Sequence, residues 1–286
     1  MIEVIPYNPD WPNMFEKEAA FIKNILREHC LEIHHIGSTA VPQLHAKQDL
    51  DILCVVDELQ NSLILQNLGY TFKGELNIPL RYYLSKNTMQ SKVNLHIVEK
   101  EHGFIKLNLY FRDYLRANDE ARKSYAMLKE ELLKDPTSYI KISSGFTGYN
   151  LGKDKFIKSI LQKAGFNGFS VNFCMHDNEW VEYRRIREEQ IFIPIQIIYD
   201  RNHPTILADN NYHFVLYKGI IIVSIAQIEL LNTTEAALRS FATDTPYKKL
   251  GYGTYLMQIL EKWVKQQGRK VIKIHTNLMD LGKMLE

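Results

Sequence analysis

The sequence predicts a two-domain protein of mixed α/β class (α+β), and three observations support this. The 286 residues exceed the usual length of one domain. Apolar residues make up 45% and charged residues 24%, as in globular proteins. Segments of helical period and strand-like segments are mixed along the chain. Gly165, Gly168 and Ser170 interrupt the pattern, so we expect domains over residues 1–168 and 169–286.

The first domain opens with a helix, because apolar residues from Trp11 onward recur at helical spacing and Pro12 suits a first turn. Strand-like and helical segments then follow, with strands expected at 31–38, 49–58 and 92–100 and helices at 111–135 and 151–164. Pro136 should end the longer helix. The first half therefore groups its strands early.

The second domain alternates strands and helices. We expect a helix at 178–191, strands at 212–231 and 236–243, a helix at 253–267 and a strand at 270–277. Both domains thus mix helix and strand.

Bulk properties exclude several classes of protein. The net charge of +2 gives no strong nucleic-acid signal. Cys30, Cys54 and Cys174 form no Cys-x-x-Cys pair, which argues against a disulfide framework and a structural zinc site. The sequence offers no signal peptide and no apolar run of about 18 residues. We expect a cytoplasmic protein without membrane spans, acting on a small molecule.

The clearest chemical signal of the second half is "KKLGYGTYL", where a strand leads through a glycine turn into a helix. Backbone N–H groups at a helix start, next to the positive end of its dipole, bind anions. The expected phosphate contacts are Lys248, Lys249, Leu250, Gly251, Tyr252, Gly253 and Thr254.

This turn resembles the GNAT superfamily of acyl-CoA-dependent N-acetyltransferases, whose signature Arg/Gln-x-x-Gly-x-Gly/Ala is matched at Lys248, Gly251 and Gly253. The resemblance implies acetyl-CoA as cofactor, with its thioester between two splayed strands and attacked directly by an amine. Glu229 is the first candidate for the general base and His275 the second. Asn277 stands where the family contacts the cofactor.

The chain stops at Glu286, where the GNAT resemblance implies a further helix and strands. Three interpretations stay open: the domain is truncated, another chain completes its edge, or this half is degenerate. The second interpretation makes a homo-oligomer plausible.

The first half carries "HHIGSTAVPQLHAKQDLDIL", a Gly-Ser turn followed by two aspartates on one strand face. Magnesium prefers such carboxylates together with phosphate oxygens. The stretch resembles the polymerase-beta-like nucleotidyltransferase superfamily and, through ordered motifs over residues 2–165, its GrpB family. The resemblance implies Mg²⁺ and a nucleoside triphosphate, with Asp49 and Asp51 as metal ligands, Asp51 as the catalytic one, and Gly37 and Ser38 on the phosphates.

The third carboxylate of that superfamily is absent, since Asn94 or His96 takes its place. The remaining candidates would form a cationic pocket for an anionic ligand, with or without metal: Lys47, Arg81, His96, Arg112 and Arg116. A purely structural interpretation also stays open, in which Gly37 and Ser38 cap a helix while Asp51 accepts hydrogen bonds from Arg112 or Lys47.

Three functions follow from these motifs. The first is transfer of an acetyl group from acetyl-CoA to a small amine by the second half, with a first half that binds nucleotide or phosphate. The second is magnesium-dependent nucleotidyl transfer to a small molecule. The third is a non-catalytic sensor in which both halves recognise phosphate-bearing ligands.

Overall fold

A computed structural model describes residues 3–141 and 146–274 of the chain. The chain divides into two compact units, the first over Met1–Leu76 and Leu80–Ser170 and the second over Asn77–Pro79 and Val171–Glu286, so far as these ranges are described. Each unit contains a five-stranded sheet. The predicted mixed α/β class is therefore confirmed.

Seven α-helices are described: α1 Trp11–Leu26, α2 Gly103–Ala117, α3 Asp119–Lys134, α4 Gly148–Leu151, α5 Asp154–Lys163, α6 Asp177–Arg187 and α7 Tyr252–Gln266. Ten strands are described: β1 Cys30–Ile36, β2 Asp49–Val56, β3 Thr71–Phe72, β4 Arg81–Asn87, β5 Lys92–Glu99, β6 Phe169–Phe173, β7 Asn211–Lys218, β8 Ile221–Leu230, β9 Glu235–Thr243 and β10 Val271–Ile274. No helix within the described residues is both long and apolar enough to cross a membrane.

The sheet of the first unit has the order β1-β2-β5-β4-β3, with β2 and β5 parallel and the other pairs antiparallel. Side chains of β2 alternate between two cores. Ile52 and Cys54 join the cluster that packs on α1, whereas Leu53 and Val55 pack with side chains of α2. Asp51 lies two residues before Leu53, so the alternation places its side chain on the α2 face of the sheet.

Residues 111–135 were predicted to form one helix, but they belong to two helices, α2 and α3. Asn118 interrupts it with extended backbone (φ −124°, ψ 102°), and its side-chain amide donates to the Tyr114 carbonyl. The apolar period continues across this residue, which is why the pattern alone did not reveal the break.

Strands β3, β4 and β6 were not expected, because β3 is short, β4 carries several polar residues and β6 follows directly on glycines.

The sheet of the second unit has the order β10-β9-β8-β7-β6. The predicted strand over 212–231 is a hairpin of β7 and β8, turning at Gly219 with φ 60°. Pairing of β8 with β9 shifts where Gln227 faces Ser240 and Ile228 faces Leu238, which leaves Arg239 as an extra, bulged residue. Val271–Ile274 of β10 pairs in parallel with residues 235–238 of β9.

Gly37 fixes the end of β1 against β2. Its backbone (φ 70°, ψ −169°) lies in a region that is essentially restricted to glycine. A Cβ atom here would lie 2.3 Å from Oδ2 of Asp51, so the aspartate occupies the space of a side chain at position 37. The Gly-Ser turn and the aspartate therefore depend on each other sterically.

We expect Gly37→Ala to destabilise the protein by roughly 3 kcal/mol or more, because strain and a clash with Asp51 add. Gly74→Ala is the matched control, since Gly74 also has positive φ (77°) but open space around its missing Cβ. It should cost about 1 kcal/mol. Urea denaturation measures both free energies of unfolding.

In an Asp51→Ala background the cost of Gly37→Ala should fall, because the clash with the carboxyl group is removed and only the backbone strain and the contact with Cβ of residue 51 (2.9 Å) are left. An unchanged cost in that background would contradict the steric account.

Candidate functional site

Asp51 lies at the end of a hydrogen-bond chain across three strands of the first unit. The Tyr83 hydroxyl donates to Oδ1 of Asn94 (2.7 Å), and Nδ2 of Asn94 donates to Oδ1 of Asp51 (2.9 Å). Burial raises the pKa of Asp51 to about 6, and this effect exceeds the opposing effect of the Asn94 hydrogen bond. Asn94, which stands where a third carboxylate was expected, therefore donates a hydrogen bond to the carboxylate of Asp51.

Three lysines lie around Asp51 and Ser38. Lys47 and Lys153 place their ammonium groups 5.9 and 4.5 Å from the centre of the Tyr149 ring. Both charges lower the pKa of Asp51, against the larger effect of burial. Burial, and then the charge of Lys47, lower the pKa of Lys153 to about 8. The site therefore holds closely spaced cations that repel one another.

Lys129 is the third of these lysines, and only 2% of its surface is exposed. Its ammonium group donates to Oγ of Ser38 (3.3 Å) and to the carbonyl of His45. Burial and the charge of Lys153 lower the pKa of Lys129 to about 7. Ser38, Lys129 and the turn at Gly37 thus form one polar surface next to Asp51.

The predicted cationic pocket is only partly assembled. Lys47 lies at the site, where it also forms an ion pair with Asp49 (3.2 Å). Arg112 and Arg116 instead donate to backbone carbonyls, those of His35 and Ala40. The structural interpretation required a hydrogen bond from Arg112 or Lys47 to Asp51. Neither bond is found among the described residues.

Arg81 and His96 form a buried pair beside Tyr83. Arg81 is 4% exposed and donates to Nδ1 of His96 (3.1 Å) and to the carbonyl of Glu75 (2.8 Å). Burial, and then the charge of Arg81, hold the pKa of His96 well below its usual range. His96 is therefore a neutral acceptor at pH 7, and the charge of Arg81 has no carboxylate within ion-pair distance in the described chain.

The described residues do not fit a resident magnesium ion. Within residues 3–141 and 146–274, no three His, Cys, Asp or Glu side chains are close enough together to hold a metal. Asp49 is paired with Lys47, and Asp51 accepts a hydrogen bond from Asn94 while the charges of Lys47 and Lys153 lie nearby. Magnesium requires free carboxylate oxygens, whereas this arrangement offers ammonium groups.

In the second unit the glycine turn lies directly before α7. Lys249 (φ 62°) and Gly251 (φ 80°) both have left-handed backbone, and nothing lies within 4 Å of a Cβ atom built on Gly251. The N–H groups that begin a helix have no acceptor inside it and carry the positive end of its dipole. The turn from Lys248 to Thr254 therefore has the open approach and the donors that a pyrophosphate requires.

Gly253 positions this helix start against the sheet. A Cβ atom on Gly253 would lie 3.3 Å from Oγ1 of Thr243 and 3.4 Å from the Phe241 ring. Thr243 and Phe241 belong to β9, beyond the bulge at Arg239. The helix start is thus held close to the last residues of β9.

Glu229 is tightly held on β8. Its Oε2 accepts from Nε of Arg239 (2.6 Å), and its Oε1 accepts from Nδ2 of Asn210 (3.2 Å). Proton uptake at either oxygen competes with one of these contacts. The other two predicted residues of this site, His275 and Asn277, lie outside the described residues.

Several functional candidates were missed from sequence. Lys129 and Lys153 fall in helical, charge-rich segments that look like solvated faces, and no local signal distinguishes them.

In the second unit, Arg187 is 8% exposed, and its Nε and Nη1 have no hydrogen-bond partner among the described residues. Its guanidinium contacts the rings of Phe192 and Tyr199 instead.

His213 lies close to that arginine. Its Nε2 bonds to the Ile206 carbonyl (3.0 Å), so Nε2 carries the proton and Nδ1 accepts from the Tyr183 hydroxyl (2.9 Å). Burial, and then the charge of Arg187, lower the pKa of His213 to about 4. This histidine is neutral at pH 7 and both of its ring nitrogens are engaged.

Two family models match the chain. The GrpB protein model covers residues 1–163, and the Acetyltransferase (GNAT) family model covers residues 174–280. Both resemblances inferred from the sequence are thereby confirmed. The UPF0157 protein YqkA of Bacillus subtilis is 34% identical over 167 residues, which cover 57% of this chain and 47% of that relative. The match thus spans about half the length of that curated relative.

Solved structures are similar to each half. The conserved protein GrpB from Enterococcus faecalis has 36% sequence identity and a TM-score of 0.49, covering 57% of this chain and 96% of its own. The ribosomal-protein-S18-alanine N-acetyltransferase from Escherichia coli has 13% identity and a TM-score of 0.36, covering 41% of this chain and 72% of its own.

We expect Asp51→Asn to change the pH dependence of stability. A pKa raised from 3.8 to about 6 means that the folded protein holds this proton more tightly than the unfolded chain. Stability is therefore lost as the pH rises through about 6. Relative to the asparagine variant, the parent protein should lose about 1 kcal/mol between pH 5 and 7 in urea denaturation. Parallel pH curves for the two proteins would contradict the assignment.

Proposed function

Because the chain belongs to the GrpB protein family and carries a GNAT acetyltransferase domain after that region, we propose that it transfers an acetyl group from acetyl-CoA to a small amine. The observation that carries the proposal is the turn at the start of α7, where Lys249 and Gly251 have left-handed backbone and the approach to Gly251 is open. Acyl-CoA use in general follows from the GNAT fold. Acetyl-CoA as the donor and an amine as the acceptor are the parts proposed here.

In this proposal the pyrophosphate of acetyl-CoA accepts hydrogen bonds from the backbone N–H groups of residues 249–254. The ammonium groups of Lys248 and Lys249 add positive charge close to those amides. Lysine in place of the arginine or glutamine of the GNAT signature keeps this role, because the amides and not the side chain form the cradle. Bound acetyl-CoA supplies the thioester, and Asn277 remains a proposed contact to it.

The acceptor nitrogen attacks the thioester carbonyl carbon, the C–S bond breaks, and the amide bond forms. The nitrogen loses one proton to a base, and the thiolate leaving group gains one. We assign the base to Glu229, with His275 as the second candidate. Because both oxygens of Glu229 already accept hydrogen bonds, a water molecule that relays the proton fits the contacts better than direct transfer.

Thr254→Glu tests the pyrophosphate site without removing any structural contact. Thr254 is exposed in the first turn of α7. A carboxylate there should repel the pyrophosphate yet interact favourably with the helix dipole. We expect acetyl-CoA affinity, measured by calorimetry, to fall at least about ten-fold while the melting temperature is kept or raised.

Gln258→Glu is the matched control, because it adds the same charge to an exposed position one turn further along α7. It should leave the affinity nearly unchanged. The proposal fails if the parent protein binds no acetyl-CoA, or if the two variants weaken binding equally.

A second function is favoured by the lysines around Ser38. We propose that the first unit binds the phosphate group of a nucleotide or small metabolite, without a resident magnesium ion. Lys47, Lys129 and Lys153 bring three ammonium groups towards Ser38 and Tyr149, while Asp51 supplies a single carboxylate. A phosphate dianion would relieve the repulsion among these lysines, which nothing else in the described surroundings fully offsets.

We expect AMP to bind the protein equally well with EDTA or with magnesium, as measured by calorimetry. Lys153→Gln should weaken this binding at least about ten-fold, and Lys155→Gln, exposed on the same helix, should not. Magnesium-dependent release of pyrophosphate from ATP, lost in Asp51→Asn, would instead establish nucleotidyl transfer. No AMP binding under either condition would remove the phosphate site.

A further inference from the structure

A separate cavity of about 280 Å³ lies in the first unit between α1, β1 and α2. Phe15, Ile33 and Pro42 contribute apolar surface to it, and Arg112 and Arg116 contribute guanidinium groups. The predicted phosphate contacts Arg112 and Arg116 are therefore found here, whereas Gly37, Ser38 and Asp51 do not line this cavity. A cavity that combines apolar surface with a few convergent charges is typical of a small-molecule site.

Both arginines are fixed in place by the protein. Nε of Arg112 donates to Asp113 (2.7 Å) and its Nη1 donates to the His35 carbonyl (3.0 Å). Nε of Arg116 donates to the Ala40 carbonyl (2.9 Å), and its Nη1 lies 3.7 Å from the same Asp113. Within the part of the chain that the structure describes, Nη2 of neither arginine has an acceptor.

The two guanidinium groups are one helical turn apart on α2, so their remaining donors lie on the same side of the helix. Each side chain is already ordered by two contacts, which reduces the entropy lost when a ligand binds. Asp113 compensates part of their charge but is 55% exposed. Glu16 also lines the cavity and forms no ion pair with either arginine among the described residues.

The pKa of His35 reflects the positive charge of the two arginines in this cavity. Its ring stacks on Phe15 with centroids 4.7 Å apart, and its Nε2 bonds to Oγ1 of Thr39. Because Thr39 donates to the Asp49 carbonyl, it accepts from Nε2, so His35 carries its single proton there. Burial, and then Arg116 and Arg112, lower the pKa of His35 to about 4. The two arginines therefore create a positive potential in the cavity, and the His35 ring beside them is neutral at pH 7.

We propose that this cavity binds a small organic oxyanion, a carboxylate or a phosphate monoester on a short apolar body. The charged group lies against Nη2 of Arg112 and Arg116, which offer the parallel donors that two oxygens of such an anion accept. The apolar body packs on Phe15, Ile33 and Pro42. The site is distinct from the lysine site at Ser38 and does not depend on the acetyltransferase function.

Calorimetry on the full-length protein tests this site with benzoate and phenyl phosphate as probes and benzyl alcohol as the neutral counterpart. We expect both anions to bind and the alcohol not to bind. The tighter of the two anions identifies the head group. Arg116→Gln should weaken binding at least about ten-fold, whereas Lys106→Gln, exposed on the same helix, should leave it unchanged.

Two further variants keep the outcome clear. Glu16→Gln should tighten binding, because it removes a nearby negative charge without touching the arginines. Lys153→Gln should have no effect on these probes, which separates this cavity from the lysine site. If neither anion binds, if benzyl alcohol binds as well as benzoate, or if Arg116→Gln and Lys106→Gln behave alike at matched melting temperatures, the proposal is overturned.

Discussion

The contact between Asp51 and the backbone of Gly37 is the constraint on which the first unit depends. The carboxylate occupies the space of a missing side chain, which presses the end of β1 and the Ser38 turn against the start of β2. The contact buries a negative charge, and one amide hydrogen bond from Asn94 stabilises it only partly. The nearby Lys47 and Lys153 compensate a further part of this charge, but the effect of burial is still larger, so the pKa of Asp51 stays raised.

Local patterns were sufficient to predict α1, β2, the Gly-Ser turn and the turn before α7, because each is specified by adjacent residues. They were not sufficient for Lys129 and Lys153. Lys129 reaches Ser38 across 91 residues of sequence, so its role depends on how α3 packs and not on its neighbours in the chain. The same reason explains Arg112 and Arg116. Their charge was evident from the sequence, but their orientation depends on the distant carbonyls of His35 and Ala40 to which they donate.

The anion sites proposed for the two units rely on different kinds of donor. Around Ser38 the donors are long side chains, whose charge responds to burial and to one another, as the pKa values of Lys129 and Lys153 near 7 and 8 indicate. At α7 the donors are backbone amides, whose dipoles do not titrate. Affinity at the first site should therefore vary with pH near neutrality, while the second should be nearly constant there.

The close approach of Asp51 to Gly37 also limits the order in which substitutions can accumulate at these two positions. A side chain at position 37 is excluded while the aspartate is present, so the path through that intermediate crosses a poorly folded protein. Loss of the carboxyl group first removes the closest contact, and leaves the backbone preference for glycine together with the approach to Cβ of residue 51. The two positions are thus epistatic, and a lineage that loses the carboxylate is released from part of the constraint on its turn.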